Sequence, residues 1–90
     1  MEHVFKALAD PNRRKILELL KKRSMSVTDL LENFDFTQAS LSHHLDILKR
    51  ANLVVTERQG QFIYYSLNLS VFEEISKTMF NLFQYEKSKK

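Results

Sequence analysis

Two adjacent histidines, His43 and His44, stand directly behind Ser42 in the segment TQASLSHHLDILKRANL, residues 37–53. Imidazoles beside a hydroxyl are the raw material of metal sites, of acid–base catalysis and of hydrogen-bonded recognition. Spacing separates these uses. Neighbours on a helix diverge by about 100°, so two adjacent histidines do not close on one ion. A ligand four residues away would, but residues 39, 40, 47 and 48 are Ala, Ser, Ile and Leu. The chain has no Cys, which removes thiolate ligands and disulfides together. It carries no Ser–His–Asp set with a Gly-rich oxyanion turn and no phosphate-cradling loop. An enzyme is therefore not expected, and neither is a metal or other cofactor.

Helical arithmetic gives the two histidines different surroundings. With Leu41 at zero, Leu45 and Leu48 fall within about 40° and His44 lies about 60° to one side. These residues form a buried stripe, with His44 as a packed, hydrogen-bonded residue on its flank. Ala39, Ser42, His43, Asp46 and Arg50 point the other way, with Gln38 and Ser40 near the helix start. Gln38, Ser42 and His43 are small or flat polar groups suited to phosphates and base edges. The N-terminal residues of a recognition helix commonly meet base edges, and its N-terminal amides favour phosphate oxygens. Asp46 opposes phosphates. An ordinary solvated face is the competing reading of these residues.

The elements that must position this helix are marked by caps. The only proline, Pro11, follows Asp10 and opens NRRKILELLKKR, a helix with an Asp N-cap and Pro at its first position. Before it, EHVFKALA reads as a short helix with Val4, Phe5 and Leu8 on one face. Ser26 and Asp29 form a capping box ahead of VTDLLENF, Thr37 opens QASLSHHLDILKRA, and Ser70 with Glu73 opens VFEEISKTMFNLFQYEK. The only glycine, Gly60, sits between two β-branched and aromatic runs in VVTERQGQFIYYSL, which predicts a hairpin over 54–67 with positive φ at its tip. The order is α-α-α-α-β-β-α, mainly α in an α+β fold. A short helix over 26–34, a tight connection and a longer helix over 37–51 make a helix-turn-helix, and the hairpin behind it makes a winged one.

At 90 residues with 43% hydrophobic side chains, the chain is expected to be one domain of residues 1–86 with a disordered basic tail, KSKK, at 87–90. No run approaches the ~20 apolar residues of a membrane span, and MEHVFKALADP lacks a signal-peptide core, so a cytoplasmic protein is expected. The formal net charge of +3 is mild and compatible with nucleic acid. A domain this small gains from a second subunit. The last helix, with Phe72, Ile75, Met79, Leu82 and Phe83 in a wide stripe and Phe80 beside it, is more apolar than a small core requires. Together with Phe5 and Leu8 of the first helix it is expected to form a homodimer interface, intrachain packing being the competing reading. Two recognition helices one DNA turn apart would then read a pseudo-palindromic operator. Arg13, Arg14, Lys15 and Lys49 are candidate phosphate contacts, with an ordinary solvated surface as the competing reading of each.

The blocks FKALADPNRRKILELL, SLSHHLDILKRANLV and ERQGQFIYYSL resemble those of the ArsR-type winged helix-turn-helix repressors of bacteria. The similarity covers nearly the whole chain, in order. It implies a repressor that binds double-stranded DNA in its own promoter as a homodimer, with residues 37–51 as recognition helix and Arg58 through Gln61 as wing tip. The family's DNA contacts carry over to Gln38, Ser40, Ser42, His43 and Arg58. Gln61 stands where the family often has Arg, and Arg14 where it often has Leu. His44 falls on the family's packing histidine. Metal-sensing members have Cys in the segment matching TDLLENF, or Asp/His pairs on the last helix; this chain has neither. The induction signal is thus left open, and the resemblance suggests sequestration by a membrane protein, with recruitment to the membrane, as one candidate. A winged-helix module for protein contacts only, and a sensor of an unidentified ligand, are the alternatives.

Overall fold

The computed structural model describes residues 1–88, with side chains described through residue 84. Two short-range devices begin the chain. Helix α1 spans Glu2–Leu8, and α2 spans Pro11–Lys22 after only two linking residues. Asp10 caps α2: its side chain accepts from the Arg13 backbone N–H at 3.0 Å, with Pro11 supplying a fixed φ behind it. Strand β1, Met25–Ser26, is followed without a break by α3, Val27–Leu31. Ser26 and Asp29 satisfy each other's backbone N–H groups at 3.2 Å in each direction, closing the expected capping box. Helix α4, Gln38–Arg50, starts on Thr37, whose hydroxyl accepts from Ser40 N–H.

Helix α4 ends in a way that the sequence reading missed. Asn52 has φ of 61°. Its N–H reaches Lys49 O at 3.0 Å, and Leu53 N–H reaches Leu48 O at 3.0 Å. This pair of bonds is the Schellman arrangement, and the apolar contact that accompanies it is supplied by Leu48 and Leu53, both fully buried. Asn is one of the few side chains that tolerate the left-handed region. The stop turns the chain directly into the hairpin of β2, Val54–Gln59, and β3, Phe62–Leu67. Gln59 pairs with Phe62, leaving a two-residue loop in which Gly60 has φ of 65°. Positive φ at the first loop residue alone is the pattern of a type II′ turn.

Two expectations need correcting. The order is α-α-β-α-α-β-β-α: β1 pairs antiparallel with β3, Met25 opposite Tyr65 and Ser26 opposite Tyr64, giving a sheet in the order β1-β3-β2. A strand of two residues has no periodicity to read, and Ser26 serves strand and helix cap at once. Helix α5, Leu69–Ser88, starts ahead of Ser70. The residue in front of it is Asn68, whose carbonyl accepts from Val71 and Phe72 and whose amide side chain donates to Asn52 O at 2.9 Å. The helix is described as far as Ser88, and residues 89–90 of the expected tail lie outside the described residues.

The core gathers Val4 and Ala7 of α1, Ile16, Leu17 and Leu20 of α2, Leu30 of α3, Leu41, Leu45 and Leu48 of α4, and Leu53 and Val54. Of α5, only Val71, Phe72 and Ile75 pack against it among the described residues. Beyond them the helix projects, and the molecule is 55 Å long but only 25 and 21 Å across. Asn52→Gly should keep or raise stability by up to about 1 kcal/mol, because Gly enters the left-handed region freely, whereas Asn52→Val should cost about 1–2 kcal/mol. Urea denaturation of the two variants checks the opposite signs.

Candidate nucleic-acid interface

The interface is built on α4, and its orientation comes from burying one side completely. Leu41, Leu45 and Leu48 are each at most 1% exposed. At about 2 kcal/mol per buried leucine, rotating the helix to expose them is prohibitive. What faces solvent is therefore determined: Gln38, Ala39, Ser42, His43, Asp46, Lys49 and Arg50 are exposed. Gln38, Ser42 and His43 share the N-terminal half of that face, as expected. Ser40 does not stand with them. It is half-buried, its N–H is held by Thr37, and its hydroxyl accepts from the Thr37 hydroxyl at 3.3 Å. Arg58 and Gln61 are exposed at the wing tip, Arg58 on β2 opposite Ile63 and Gln61 in the turn itself.

Asp46 is the one acidic residue on this face. Its carboxylate lies 3.0 Å from Arg50 Nη2, one helical turn on, so the outer face of α4 carries a neutralised pair there. That contact follows the i, i+4 rule and was legible in the sequence.

The basic residues of α2 find acceptors within the chain. Three of the four candidate phosphate contacts are engaged within the chain. Arg13 donates through Nε to Ala7 O at 2.8 Å and through Nη2 to Lys6 O at 3.3 Å. Arg14 donates to Leu8 O at 2.7 Å. Lys15 donates to Asn33 O at 2.8 Å and sits 4.7 Å from the centroid of the Phe34 ring. The reason is electrostatic. The end of α1 leaves carbonyls without helical partners, and α2 begins two residues later. The first turn of α2 is a poor place for cations, since the helix dipole is positive there. Arginines in that position call for an acceptor nearby, and the end of α1 provides it. That mismatch was the available signal in the sequence.

The third arm of Arg13 reaches α4. Its Nη1 lies 3.2 Å from Nδ1 of His44, whose side chain is 15% exposed. A guanidinium only donates, so Nδ1 accepts and the imidazole proton belongs on Nε2. Asp10 Oδ2 is 3.9 Å from the same nitrogen, and the Phe36 ring, stacked on Phe34 at 4.7 Å, is 5.5 Å from the His44 ring. The packed, hydrogen-bonded role expected for His44 is thus what the structure holds. Burial, outweighing attraction to Asp10 and joined by repulsion from Arg13 and His43, pushes the His44 pKa below its ordinary 6.5. For Asp10, burial alone would raise the carboxyl. The Arg13 N–H bond, the Arg13 and His44 charges and the Asn12 N–H outweigh it and hold the group below 3.8.

The seven residues expected at a subunit interface divide. Phe5, Met79, Leu82 and Phe83 are exposed, Phe83 by 68%, as is Phe80. Leu8, Phe72 and Ile75 are partly buried against the chain's own core. Among the described residues, no three His, Cys, Asp or Glu side chains form a group able to hold a metal ion.

Residues 10–56 match the family model described as "Bacterial regulatory protein, arsR family". The chain is 51% identical over 81 residues to the transcriptional repressor SdpR of Bacillus subtilis (strain 168), covering 90% of each chain. It is 48% identical over 68 residues to the arsenical resistance operon repressor of the same organism, covering 74% of this chain and 65% of that one. The crystal structure of an ArsR family transcriptional regulator superposes with a TM-score of 0.87 at 25% identity, covering 97% of this chain and 90% of that one.

A histidine whose folded pKa is depressed contributes stability above its unfolded value, and that stability is lost as pH falls through the folded value. The melting temperature should therefore hold level above pH 6.5 and decline below it as His44 takes up a proton. His44→Gln should lack that limb while keeping the loss below pH 3.8 that protonation of Asp10 brings. Thermal melts across pH for the two chains make the comparison.

Proposed function

The chain belongs to the arsR family of bacterial regulatory proteins, and from that premise we propose that this DNA-binding transcriptional repressor reads its operator with the N-terminal half of α4. The observation that carries the reading is the exposure of Gln38, Ser42 and His43 together at the start of a capped helix whose opposite side is sealed in the core. Such a helix enters the major groove as a rigid unit, with its polar side chains on base edges and its first amides on a phosphate. Ser40 acts differently from these three: it secures the start of α4 through Thr37. The wing brings Arg58 to the flanking backbone or minor groove, with Gln61 beside it. With Arg13, Arg14 and Lys15 committed inside the chain, Lys49 and Arg58 carry the phosphate attraction.

The repressor works in the cytoplasm as a homodimer. Support comes from the exposed Met79, Phe80, Leu82 and Phe83 on the projecting part of α5 and from Phe5 on α1. Leu8, Phe72 and Ile75 connect that surface to the core rather than belonging wholly to it. Two-fold symmetry places two α4 helices about 34 Å apart, matching half-sites one DNA turn apart in a pseudo-palindrome. Autorepression makes the chain's own upstream region the operator to try.

The double variant Ser42→Ala/His43→Ala should lose its preference for upstream DNA over a scrambled duplex while keeping the wild-type salt slope, since these are base and not phosphate contacts. A fluorescence-anisotropy salt series reads both quantities, and equal selectivity in the variant would place recognition on another face. Phe83→Asp should be monomeric at micromolar concentration in sedimentation equilibrium and bind weakly. A variant that stays dimeric refutes the α5 interface.

A further inference from the structure

The Arg13 guanidinium joins three elements at one point. Through Nε and Nη2 it holds the last carbonyls of α1, Ala7 O at 2.8 Å and Lys6 O at 3.3 Å. Through its own backbone N–H it sits on Asp10, the cap of α2. Through Nη1 it reaches His44 of α4 at 3.2 Å. His44 lies one residue beyond His43, on the inner edge of the helix whose outer edge is assigned to DNA. We propose that Arg13 is a positioning residue for DNA recognition, fixing the angle of α4 against α1 through an accepting, neutral His44. The proposal rests on the reading of α4 as the recognition helix.

The geometry makes the joint directional. Arg13 can only donate, and the α1 carbonyls can only accept, so that half of the joint is permanent. The His44 half exists only while Nδ1 carries no proton. When a proton from solvent binds Nδ1, the acceptor becomes a donor and two cations face each other at the former bond. The carboxylate of Asp10, 3.9 Å from the same nitrogen, is the acceptor to which the imidazolium turns. Asp10 and Arg13 of α2 and His43 of α4 itself are the titratable groups acting on His44, and the ring packed against it from the α3–α4 turn, Phe36, is uncharged. Protonation thus moves α4 from Arg13 to Asp10, a change of partner on the side of the helix away from its DNA face. The depressed pKa of His44 keeps the Arg13 arrangement in force at neutral pH.

A positioning role and a phosphate contact give opposite results in one experiment. The probe is a duplex selected from a random pool by the wild-type chain at about pH 7.5. Arg13→Ala should weaken binding roughly tenfold, equivalent to about 1.4 kcal/mol, with the wild-type salt slope unchanged. Arg13→Lys keeps the charge but not the fork and should bind as weakly as Arg13→Ala. Wild-type affinity should fall between about pH 7.5 and about pH 5, and His44→Gln, which accepts but does not titrate, should lack that part of the fall. A salt slope reduced by about one in Arg13→Ala, together with recovery in Arg13→Lys, would make Arg13 a phosphate contact and overturn the proposal.

Nitrogen-15 spectra of the free protein test the joint without DNA. The proposal requires the His44 proton on Nε2, a higher His44 pKa in Arg13→Ala, and α4 backbone resonances that move as His44 titrates. A proton on Nδ1, or α4 resonances indifferent to that titration, overturns it. A selection that yields no duplex sinks the DNA reading, and the spectra still decide the joint.

Discussion

Carbonyl groups at the end of an α-helix run short of N–H partners, and the chain turns into α2 within two residues of the end of α1, where Lys6 O still accepts from Ala9 N–H at 3.3 Å. Water is the usual partner for such groups. Arg13 and Arg14 answer the problem with three side-chain bonds to Lys6, Ala7 and Leu8 carbonyls. Much else follows from that placement. Because Arg13 stands in the first turn of α2, it shares Asp10 with the cap and reaches His44 with its remaining arm. One planar cation therefore links α1, α2 and α4, in addition to the buried leucines that orient α4. Lysine offers a compact charge with no fork and would not hold three acceptors in fixed directions.

The same economy appears at α4. Its buried side is entirely leucine, which leaves rotation about the helix axis no freedom, and its edge is held by His44 against Phe36 and Arg13. Its end is closed by Asn52 and tied through Asn68 to the start of α5. The polar face is thus not flexible in direction, although its side chains are exposed. Pre-organisation of this kind lets a short helix discriminate between base edges, because little ordering is left to be done on binding.

Helix α5 follows a different logic. Three of its apolar residues complete the core, and Met79, Phe80, Leu82 and Phe83 beyond them are exposed. A domain of this size buries too little of its own surface to be robust alone. An apolar helix projecting from it is the surface on which the proposed second subunit would add burial. In the proposed homodimer, one element would serve both dimerisation and DNA spacing, since the helix proposed to join two copies would also set the distance between their α4 helices.

The winged helix-turn-helix was legible because its signals are local. Caps such as Asp10 with Pro11, Ser26 with Asp29, and Thr37 act over three residues, the hairpin over Gly60 acts over two, and the leucine stripe of α4 repeats within one helix. The same locality exposed the split between His43 and His44, and it extended to the Asp46–Arg50 pair. Sequence similarity supplied the family, and with it repression. What sequence alone left undetermined lies between elements far apart in the chain. Strand β1 exists only because Tyr64 and Tyr65 offer it an edge, and Lys15 meets Asn33 only after α3 has folded back. Arg13 and His44 are separated by 31 positions. A basic residue on a helix reads as solvated or phosphate-bound until the tertiary fold brings it an acceptor. For Arg13, Arg14 and Lys15 the fold did so, because chain folding and not local spacing sets the carbonyls of Lys6, Ala7, Leu8 and Asn33 within 2.7–3.3 Å of their side-chain nitrogens.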